Sequence, residues 1–272
     1  MYLFRHFDIA TDLWYTQINR TMQTIILKIG TSTLTRSTNR LSRGKIEDIA
    51  RQILALKSQY KFIIVSSGAI ATARQFIDLQ GGTPIAVKQA LSAIGQPVLS
   101  KIYQEIFNDF NLKTAQCLVN YRDIDNEKSR QNITNAINVL LENDYIPIIN
   151  ENDTVATDEI QFGDNDKLSA LMAELLSVDL LIIASDINGL YDRDPNQDPN
   201  AKIIPEIKDV APYKHLEKDS DNGLGTGGIR SKLIAADICL KNGIEMWIVN
   251  GFEDRFLEKA VAGEIVFTRV RR

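Results

Sequence analysis

The chain has 272 residues, of which 44% are hydrophobic and 24% are charged, and this composition predicts a globular protein with one large domain or two small ones. Its formal net charge of −4 argues against nucleic acids and anionic membranes as partners, and no apolar run approaches the roughly 20 residues of a membrane-spanning helix. Because Cys117 and Cys239 are far apart and His6 and His215 are the only histidines, the sequence argues against a disulfide framework, a zinc site and histidine-based catalysis, and it predicts a cytoplasmic protein.

The first 21 residues show no pattern that links them to a core. Arg5, Asp8 and Asp12 interrupt their apolar character, so the segment is a poor match to a signal peptide. Met22 comes directly before the first clear strand pattern. We therefore interpret residues 1–21 as an N-terminal extension outside the fold, and residues 22–272 as the folded domain.

The first predicted strand covers residues 24–29 and runs into the sequence K-I-G-T-S at residues 28–32. A glycine and two hydroxyl residues after a buried strand give a tight turn with exposed backbone N–H groups, which suits oxyanions. Lys28 has two interpretations at this point. It is either an edge lysine whose charge reaches water or a residue that contacts a phosphate group.

A second turn of the same kind follows the next predicted strand. Residues 46–54 predict a helix with Ser42 as its N-cap, and residues 62–65 predict a short buried strand. The sequence S-S-G at residues 66–68 leads from that strand into a helix that begins near Ala69, and small residues at a helix N-terminus can bind anions. An ordinary turn capped by serine is the alternative interpretation.

The middle of the chain alternates between helices and a strand. Residues 85–94 and 98–110 predict two separate helices, and Pro97 is expected to start the second one, where proline is tolerated. Residues 115–119 predict a strand, and residues 132–141 predict a further helix.

An acidic stretch from residue 148 to residue 166 follows a buried strand predicted over residues 145–149. It lacks lysine and arginine but contains six acidic residues, which are Glu151, Asp153, Asp158, Glu159, Asp164 and Asp166. Burying several carboxylates without partners is costly, so the stretch is either a solvated hairpin over residues 154–162 or a ligand site. We favour the ligand site, because open α/β sheets place their sites after core strands and because G-D-N-D at residues 163–166 opens a helix at Asp164.

The segment after this helix combines a strand with a long irregular region. Residues 180–184 predict a fifth strand, which ends at Ser185 and Asp186 in front of a turn. Residues 192–212 carry four of the seven prolines, and they predict a long surface loop.

A glycine-rich run, G-L-G-T-G-G at residues 223–228, forms a third candidate anion site. It leads at once into a helix predicted over residues 229–240, with Lys232 in the first turn. The run is not a Walker A motif, but its glycines expose N–H groups at a helix start and the lysine adds positive charge. A flexible linker is the alternative, which the immediate start of a core helix disfavours.

The last elements are a strand at residues 244–249, a helix at residues 256–261 and an edge strand at residues 265–267. Strands that alternate with helices along a chain are typical of α/β proteins. The sequence therefore predicts an α/β fold with an open, mostly parallel sheet between helices.

Six short motifs follow one another along the chain. They are K-I-G-T-S at 28–32, S-S-G-A-I at 66–70, I-N-E-N-D at 149–153, G-D-N-D at 163–166, S-D-x-x-G-L-Y at 185–191 and G-x-G-T-G-G-x-x-x-K at 223–232. Together they resemble the glutamate 5-kinases of the amino-acid kinase family, from about residue 25 to residue 251. The first and last motifs mark the wider family, and I-N-E-N-D with G-D-N-D singles out the glutamate enzymes.

The resemblance implies an open α/β sheet with the amino acid bound over the N-terminal half and the nucleotide over the C-terminal half. It implies phosphorylation of the γ-carboxylate of L-glutamate by ATP with Mg²⁺, which gives γ-glutamyl phosphate for proline biosynthesis. It also implies a homo-oligomer, either a dimer or a tetramer. Related kinases that act on acetylglutamate or aspartate are the alternative, which I-N-E-N-D disfavours, and a catalytically silent sensor is a more distant one.

The resemblance also assigns roles to individual residues. It implies that Lys28, Lys232 and Asp166 form the catalytic group, in which Asp166 orients the two lysines. The residues implied to contact glutamate are Ser67, Asp153 and Asn165. The residues implied to contact ATP are Lys28, Ser185, Asp186, Thr226, Gly227, Gly228, Ile229, Arg230, Ser231 and Lys232.

The chemistry of these residue types agrees with that reaction. A carboxylate that attacks a phosphoryl group brings two anions together, so the site needs lysines, Mg²⁺ and helix N-termini on the phosphates. Asp153 suits an ammonium group on the substrate, which explains an acidic residue in an anion-binding site. A general base is not needed, because the attacking carboxylate is already ionised at pH 7.

The sequence departs from the family in three places. Ser185 stands where threonine is frequent, and the hydroxyl is kept. F-T-R-V at residues 267–270 replaces the usual G-T-x-F, which leaves the pairing of the last strand open. The sequence up to Arg272 does not include the RNA-binding-like domain that many members carry after the kinase domain.

Overall fold

Eight strands of this chain form one sheet in the computed structural model, which describes residues 22–36, 38, 40–155, 165–193, 195, 198–220 and 228–272. The strands are β1 Gln23–Ile29, β2 Tyr60–Ser66, β3 Lys113–Val119, β4 Tyr145–Glu151, β5 Leu180–Ser185, β6 Glu206–Ile207, β7 Glu245–Asn250 and β8 Thr268–Val270. Their order across the sheet is β3-β4-β2-β1-β5-β7-β8-β6. Every neighbouring pair is parallel except β7 and β8, so the prediction of an open, mostly parallel α/β sheet is confirmed.

Helices cover both faces of the sheet. They are α1 Thr31–Thr35, α2 Arg43–Leu56, α3 Ala69–Ala73, α4 Pro84–Asp109, α5 Tyr121–Asp125, α6 Glu127–Glu142, α7 Asn165–Leu176, α8 Ile229–Asn242 and α9 Phe256–Ala262, together with a 3-10 helix at Ala211–Ser220. The predicted N-cap of α2 is confirmed, because the Ser42 hydroxyl accepts a hydrogen bond from the backbone N–H of Lys45. Within the described ranges, none of these helices is long and apolar enough to cross a membrane.

Two hydrophobic cores lie on opposite faces of the sheet, and the alternation of side chains along β1 divides them. Ile25 and Leu27 pack with α2, α4 and α9, whereas Ile26 packs with α7 and α8. All three side chains are fully buried, and burying each contributes about 1.5–3 kcal/mol to stability. By the same alternation Lys28 follows Ile26 onto the face that α7 and α8 cover.

The position of β1 rules out one interpretation of Lys28. β1 lies between β2 and β5 in the middle of the sheet, and the Lys28 side chain is buried. The interpretation as an edge lysine that reaches water is therefore wrong. A charged group buried in a central strand requires a partner of opposite charge, and for Lys28 this partner is Asp166 of α7.

The predicted break at Pro97 is also wrong, because α4 runs without interruption from Pro84 to Asp109 and contains Pro97 in its interior. A proline inside a helix removes one backbone hydrogen bond and costs about 3 kcal/mol. Buried residues on both sides of it, among them Leu91 and Leu99, provide packing that offsets this cost. Packing of one long helix against the sheet thus overrides the local signal.

Close packing of α3 on α4 depends on Gly95. A β-carbon at this position would lie 1.9 Å from the carbonyl oxygen of Ala69, at the start of α3. We expect Gly95→Ala to lower the free energy of unfolding by about 3 kcal/mol, because the overlap is with backbone. Urea denaturation measures this change. Gly44→Ala is the matched control, since Gly44 in α2 has no atom within 4 Å of such a β-carbon, and an unchanged Gly95→Ala midpoint would contradict the packing argument.

The C-terminal strands differ from their prediction. The residues expected to form an edge strand, 265–267, precede β8, which lies inside the sheet between β7 and β6, while β6 forms the edge within the region predicted as a loop. The Thr268 hydroxyl explains the register, because it donates to the carbonyl of Ile204 and accepts from the N–H of Leu190, at 2.7 Å in both cases. A buried polar side chain, absent from any apolar pattern, therefore anchors the last strand.

Several predicted features lie outside the described residues. These are the N-terminal extension at residues 1–21, nearly all of the hairpin at 154–162, the helix start at Asp164, and the glycine run before Gly228.

Candidate active site

A buried carboxylate between two lysines lies at the carboxyl end of the central strands. Lys28 is the penultimate residue of β1, Asp166 lies in the first turn of α7, and Lys232 lies in the first turn of α8. Lys28 Nζ forms an ion pair with Asp166 Oδ1, and Lys232 Nζ lies 3.2 Å from Asp166 Oδ2. All three residues are at least nine-tenths buried, with Asp166 at 0% exposure. The arrangement holds two ammonium groups side by side through one carboxylate.

The charge of Asp166 depends on these neighbours. Burial raises the pKa of the carboxyl group, but the positive charges of Lys232 and Lys28 outweigh burial and lower the pKa to about 2. The Ser231 hydroxyl donates to Asp166 Oδ2 at 3.1 Å and adds a further favourable contact. Asp166 is therefore ionised at neutral pH.

The turn after β1 brings Lys28 close to exposed backbone. A β-carbon at Gly30 would lie 3.4 Å from Lys28 Nζ, so the ammonium group is next to the residue that precedes α1. The neighbouring turn after β2 is joined to this one by a hydrogen bond from Ser67 N–H to the carbonyl of Ile29. Gly68, which directly precedes α3, has φ +105°, a backbone conformation that favours glycine. The two turns predicted from separate motifs thus form one continuous surface.

A chain of amides and a hydroxyl lies beside the lysines. The Asn165 side-chain amide donates to Ser67 Oγ at 2.8 Å and to Asn150 Oδ1 at 3.0 Å. Asn150 in turn donates to Gln96 Oε1 at 2.8 Å. The backbone N–H of Glu151 can only donate, and it donates to Asn150 Oδ1, so it fixes which end of each amide in the chain is the acceptor.

Asp153, the other acidic residue expected at the site, is held from α4. The Ser92 hydroxyl donates to Asp153 Oδ2. Burial raises the pKa of Asp153, and the hydrogen bond from Ser92 opposes that shift. Ser92 and Gln96 are four residues apart on α4, so they project from the same helix face, where Gln96 contacts Asn150 near the end of β4 and Ser92 contacts Asp153 in the loop after it.

A second group of predicted residues lies on the other side of the lysines, around β5 and α8. Ser185, the last residue of β5, donates through its hydroxyl to Asp186 Oδ1 at 3.1 Å. Asn250 is opposite Ser185 in the pairing of β5 with β7, and its side chain donates to Asn188 Oδ1 at 2.7 Å. The described residues thus provide a polar rim at this end of β5.

The start of α8 is partly described. Gly228 precedes the helix without a side-chain cap, Ile229 is half-buried, Arg230 is exposed, and Ser231 is buried next to Asp166. The first N–H groups of a helix lack intrahelical partners, so this end can accept an anion. Thr226 and Gly227 lie outside the described residues.

The structure brings most of the predicted residues into one region, and it adds residues that the sequence analysis missed. Lys28, Asp166 and Lys232 are in direct contact, and Ser67 contacts Asn165. The missed residues are Ser92, Gln96 and Asn250, while Asn150 belonged to the I-N-E-N-D motif without an assigned role. The signal for the first two was present, because polar residues four apart interrupt a helix face that is otherwise apolar.

Comparison with known proteins agrees with this geometry. Residues 23–250 match the amino acid kinase family. The chain is 39% identical over 249 residues to a protein named glutamate 5-kinase from Proteus mirabilis (strain HI4320), covering 90% of this chain and 68% of that protein. It is 40% identical over 250 residues to one from Vibrio campbellii (strain ATCC BAA-1116), covering 91% of this chain and 66% of that protein. The chain thus spans about two thirds of the length of these relatives.

A solved structure shares the fold at low sequence identity. The crystal structure of UMP kinase from Ureaplasma parvum matches with a TM-score of 0.63 and 20% identity, covering 93% of this chain and 100% of that one. At this identity the match establishes the architecture of the sheet and its helices.

Proposed function

We propose, from the premise that this chain belongs to the amino acid kinase family, that it transfers the γ-phosphoryl group of ATP to the γ-carboxylate of L-glutamate. The product is γ-glutamyl 5-phosphate, the first intermediate of proline biosynthesis. The observation that carries the proposal is the buried group of Lys28, Asp166 and Lys232. In the sheet, β1 with Lys28 lies between β2, which leads to Ser67, and β5, which ends at Ser185.

The two lysines address the main barrier of this reaction, which is repulsion between the attacking carboxylate and the phosphates. Lys28 and Lys232 offset the negative charge that the phosphoryl group and the leaving phosphates carry in the transition state. Asp166 holds both ammonium groups before substrate binds, so little reorganisation is required during the reaction. The carboxylate nucleophile is ionised at neutral pH, and catalysis rests on positioning and charge.

The nucleotide is assigned to the half of the site around β5 and α8. The N-terminus of α8 and Lys232 suit the phosphates of ATP, because unpaired helix N–H groups and a lysine both favour anions. The other residues proposed to contact ATP are Lys28, Ser185, Asp186, Thr226, Gly227, Gly228, Ile229, Arg230 and Ser231.

Mg²⁺ is assigned to the nucleotide and enters the site with ATP. In the described part of the chain, no group of three or more histidine, cysteine, aspartate or glutamate side chains could hold a metal ion. Mg²⁺ in kinase sites usually keeps several of its waters and is bound mainly through the phosphates of the substrate.

Glutamate is assigned to the half of the site that β2, β4 and the start of α7 form. Ser67 and Asn165 are hydrogen-bonded to each other, Ser67 follows the strand next to β1, and Asn165 precedes Asp166, which pairs with Lys28, so they suit the carboxylates of the substrate. Asp153 suits the α-ammonium group, since an ammonium neutralises a partly buried carboxylate whose pKa burial raises. An N-acylated substrate would leave Asp153 without that partner.

Substrate selectivity tests the proposal directly. We expect the protein to release ADP with L-glutamate and to reject N-acetylglutamate, because an unpaired buried polar group gives strong discrimination. We also expect Asp153→Asn to raise KM for glutamate by about tenfold or more, with KM for ATP changed little. Coupled ADP-release assays measure both.

Two outcomes would count against parts of the assignment. Efficient turnover of N-acetylglutamate by the unmodified protein would overturn glutamate as the substrate. An unchanged glutamate KM in Asp153→Asn would remove Asp153 from the site. Asp109→Asn is a control for the loss of one carboxylate. Asp109 is exposed at the C-terminal end of α4, whereas Asp153 contacts the N-terminal half of that helix through Ser92.

A further inference from the structure

Ser92 is a polar residue on the largely hydrophobic buried face of α4. The buried side of α4 is largely hydrophobic, with Leu91, Leu99 and Phe107 among its residues. Ser92 is 3% exposed in this setting, and its hydroxyl donates to Asp153 Oδ2 in the loop after β4. A buried hydroxyl on an apolar helix face requires a partner, and here the partner is a residue proposed to bind substrate.

The hydroxyl of Ser92 stabilises the partly buried carboxylate of Asp153. No lysine or arginine among the described residues forms an ion pair with Asp153. Its described hydrogen-bond donor is Ser92. A hydrogen bond to a carboxylate is shorter and stronger than one between neutral groups, and it also fixes the rotation of the carboxylate.

We propose that Ser92 is a positioning residue that determines selectivity for the free α-ammonium group of the substrate. Ser92 holds Asp153 Oδ2, so that Oδ1 of the same carboxylate is directed to the ammonium group. Ser92 does not touch the substrate, and its effect passes through Asp153. The inference rests on the proposed function, since it concerns the same amino-acid site.

Gln96 supports this interpretation from the next turn of α4. It accepts a hydrogen bond from Asn150, which accepts one from Asn165, so α4 also holds the residue proposed to contact a substrate carboxylate. One helix face therefore fixes the two substrate-contacting side chains relative to each other. Pre-organisation of this kind lowers the cost of ordering the site when the substrate binds.

Ser92→Ala is the direct test. We expect KM for glutamate to rise by about tenfold, which corresponds to the loss of one charge-assisted hydrogen bond, while kcat and KM for ATP stay within about twofold. Glutarate lacks the ammonium group, so its inhibition constant against glutamate should change by less than about twofold. A general distortion of the site would instead weaken glutamate and glutarate alike.

Three further variants separate positioning from structure. Ser92→Thr keeps the hydroxyl and should restore the glutamate KM. Ser92→Ala added to Asp153→Asn should raise KM by much less than it does alone, since both act on one contact. Ser100→Ala is the matched control, because it removes a hydroxyl from the same helix about two turns after Ser92, and it should leave both constants unchanged.

Each result decides between the two proposals. If the unmodified protein does not turn over glutamate, the proposed function falls, and the role of Ser92 falls with it. If the unmodified protein is active and Ser92→Ala has an unchanged glutamate KM, or loses glutamate and glutarate affinity equally, only the positioning role is overturned. Additive effects of Ser92→Ala and Asp153→Asn would also overturn it.

Discussion

Replacing Asp166 with asparagine is expected to lower kcat by about a thousandfold, the scale seen when one pre-organised electrostatic group is removed from an active site. The substitution keeps the shape of the side chain but removes the charge that holds Lys28 and Lys232 next to each other. Two like charges would then remain in a buried place, and each would move away from the position it needs on the phosphates.

The same substitution should reduce stability. Removing one partner of a buried ion pair typically costs about 3–5 kcal/mol, because it leaves uncompensated charge. Folding lowers the pKa of Asp166 from 3.8 to about 2, so its contribution is present above pH 3.8 and is lost as pH falls toward 2. Urea denaturation of the unmodified protein should therefore show a loss of stability in that window, and Asp166→Asn should show less of it.

Asp48→Asn is the matched control for these effects. Asp48 Oδ2 lies 2.8 Å from the Nζ of Lys45, another buried lysine, but this pair is on α2 and outside the proposed site. We expect Asp48→Asn to lower stability while kcat stays within about twofold. A normal kcat in Asp166→Asn would contradict the role of Asp166 in orienting the lysines.

The sequence predicted the parts of the site that depend on local order along the chain. Lys28 and the turn after it, the S-S-G turn at residues 66–68 and the helix that carries Lys232 follow from strand patterns and small residues at helix starts. Local patterns did not decide whether the Lys28 side chain reaches water or is buried. The order of strands settles that question, because a residue near the end of a central strand cannot reach water as an edge residue can.

The residues that the sequence analysis missed depend on contacts between distant segments. Ser92 and Asp153 are 61 residues apart, and Gln96 and Asn150 are 54 apart. Both Ser92 and Gln96 precede Pro97 in α4, and the helix predicted over residues 85–94 includes Ser92 but ends before Gln96. Ending the predicted helix at residue 94 therefore separated Gln96 from the helix face that carries Ser92, and local patterns do not show that this face meets β4 and the loop after it.

The C-terminal strands were misjudged for a related reason. The apolar sequence at residues 265–267 suggested an edge strand, yet Val266 is 68% exposed, whereas Thr268 in β8 is 0% exposed. The Thr268 hydroxyl is satisfied by backbone groups of residues 190 and 204, which are remote in sequence. In a pattern of hydrophobicity, a threonine that is buried with two backbone partners looks the same as an exposed one. The role of Thr268 therefore cannot be predicted without its tertiary contacts.

Replacing Lys232 with alanine is expected to lower kcat by about a thousandfold, with a much smaller change in KM for glutamate. Lys232 belongs to the first turn of α8, where its charge and the unpaired N–H groups of the helix both act on the transferring phosphoryl group. Lys28 remains paired with Asp166 in this variant, so the carboxylate is not left alone in the core. A selective loss of kcat therefore reports on the transition state rather than on the fold.

Lys232→Met and Lys241→Ala make this test specific. Methionine keeps the length and much of the volume of lysine, so a loss of kcat in Lys232→Met equal to that in Lys232→Ala assigns the effect to charge. Lys241 lies on the same helix, is exposed and pairs with Asp237, and its removal should leave kcat unchanged. If Lys232→Met retained normal turnover, or if glutamate KM rose as steeply as kcat fell, the lysine would act in packing or in substrate binding, and charge stabilisation would rest on Lys28.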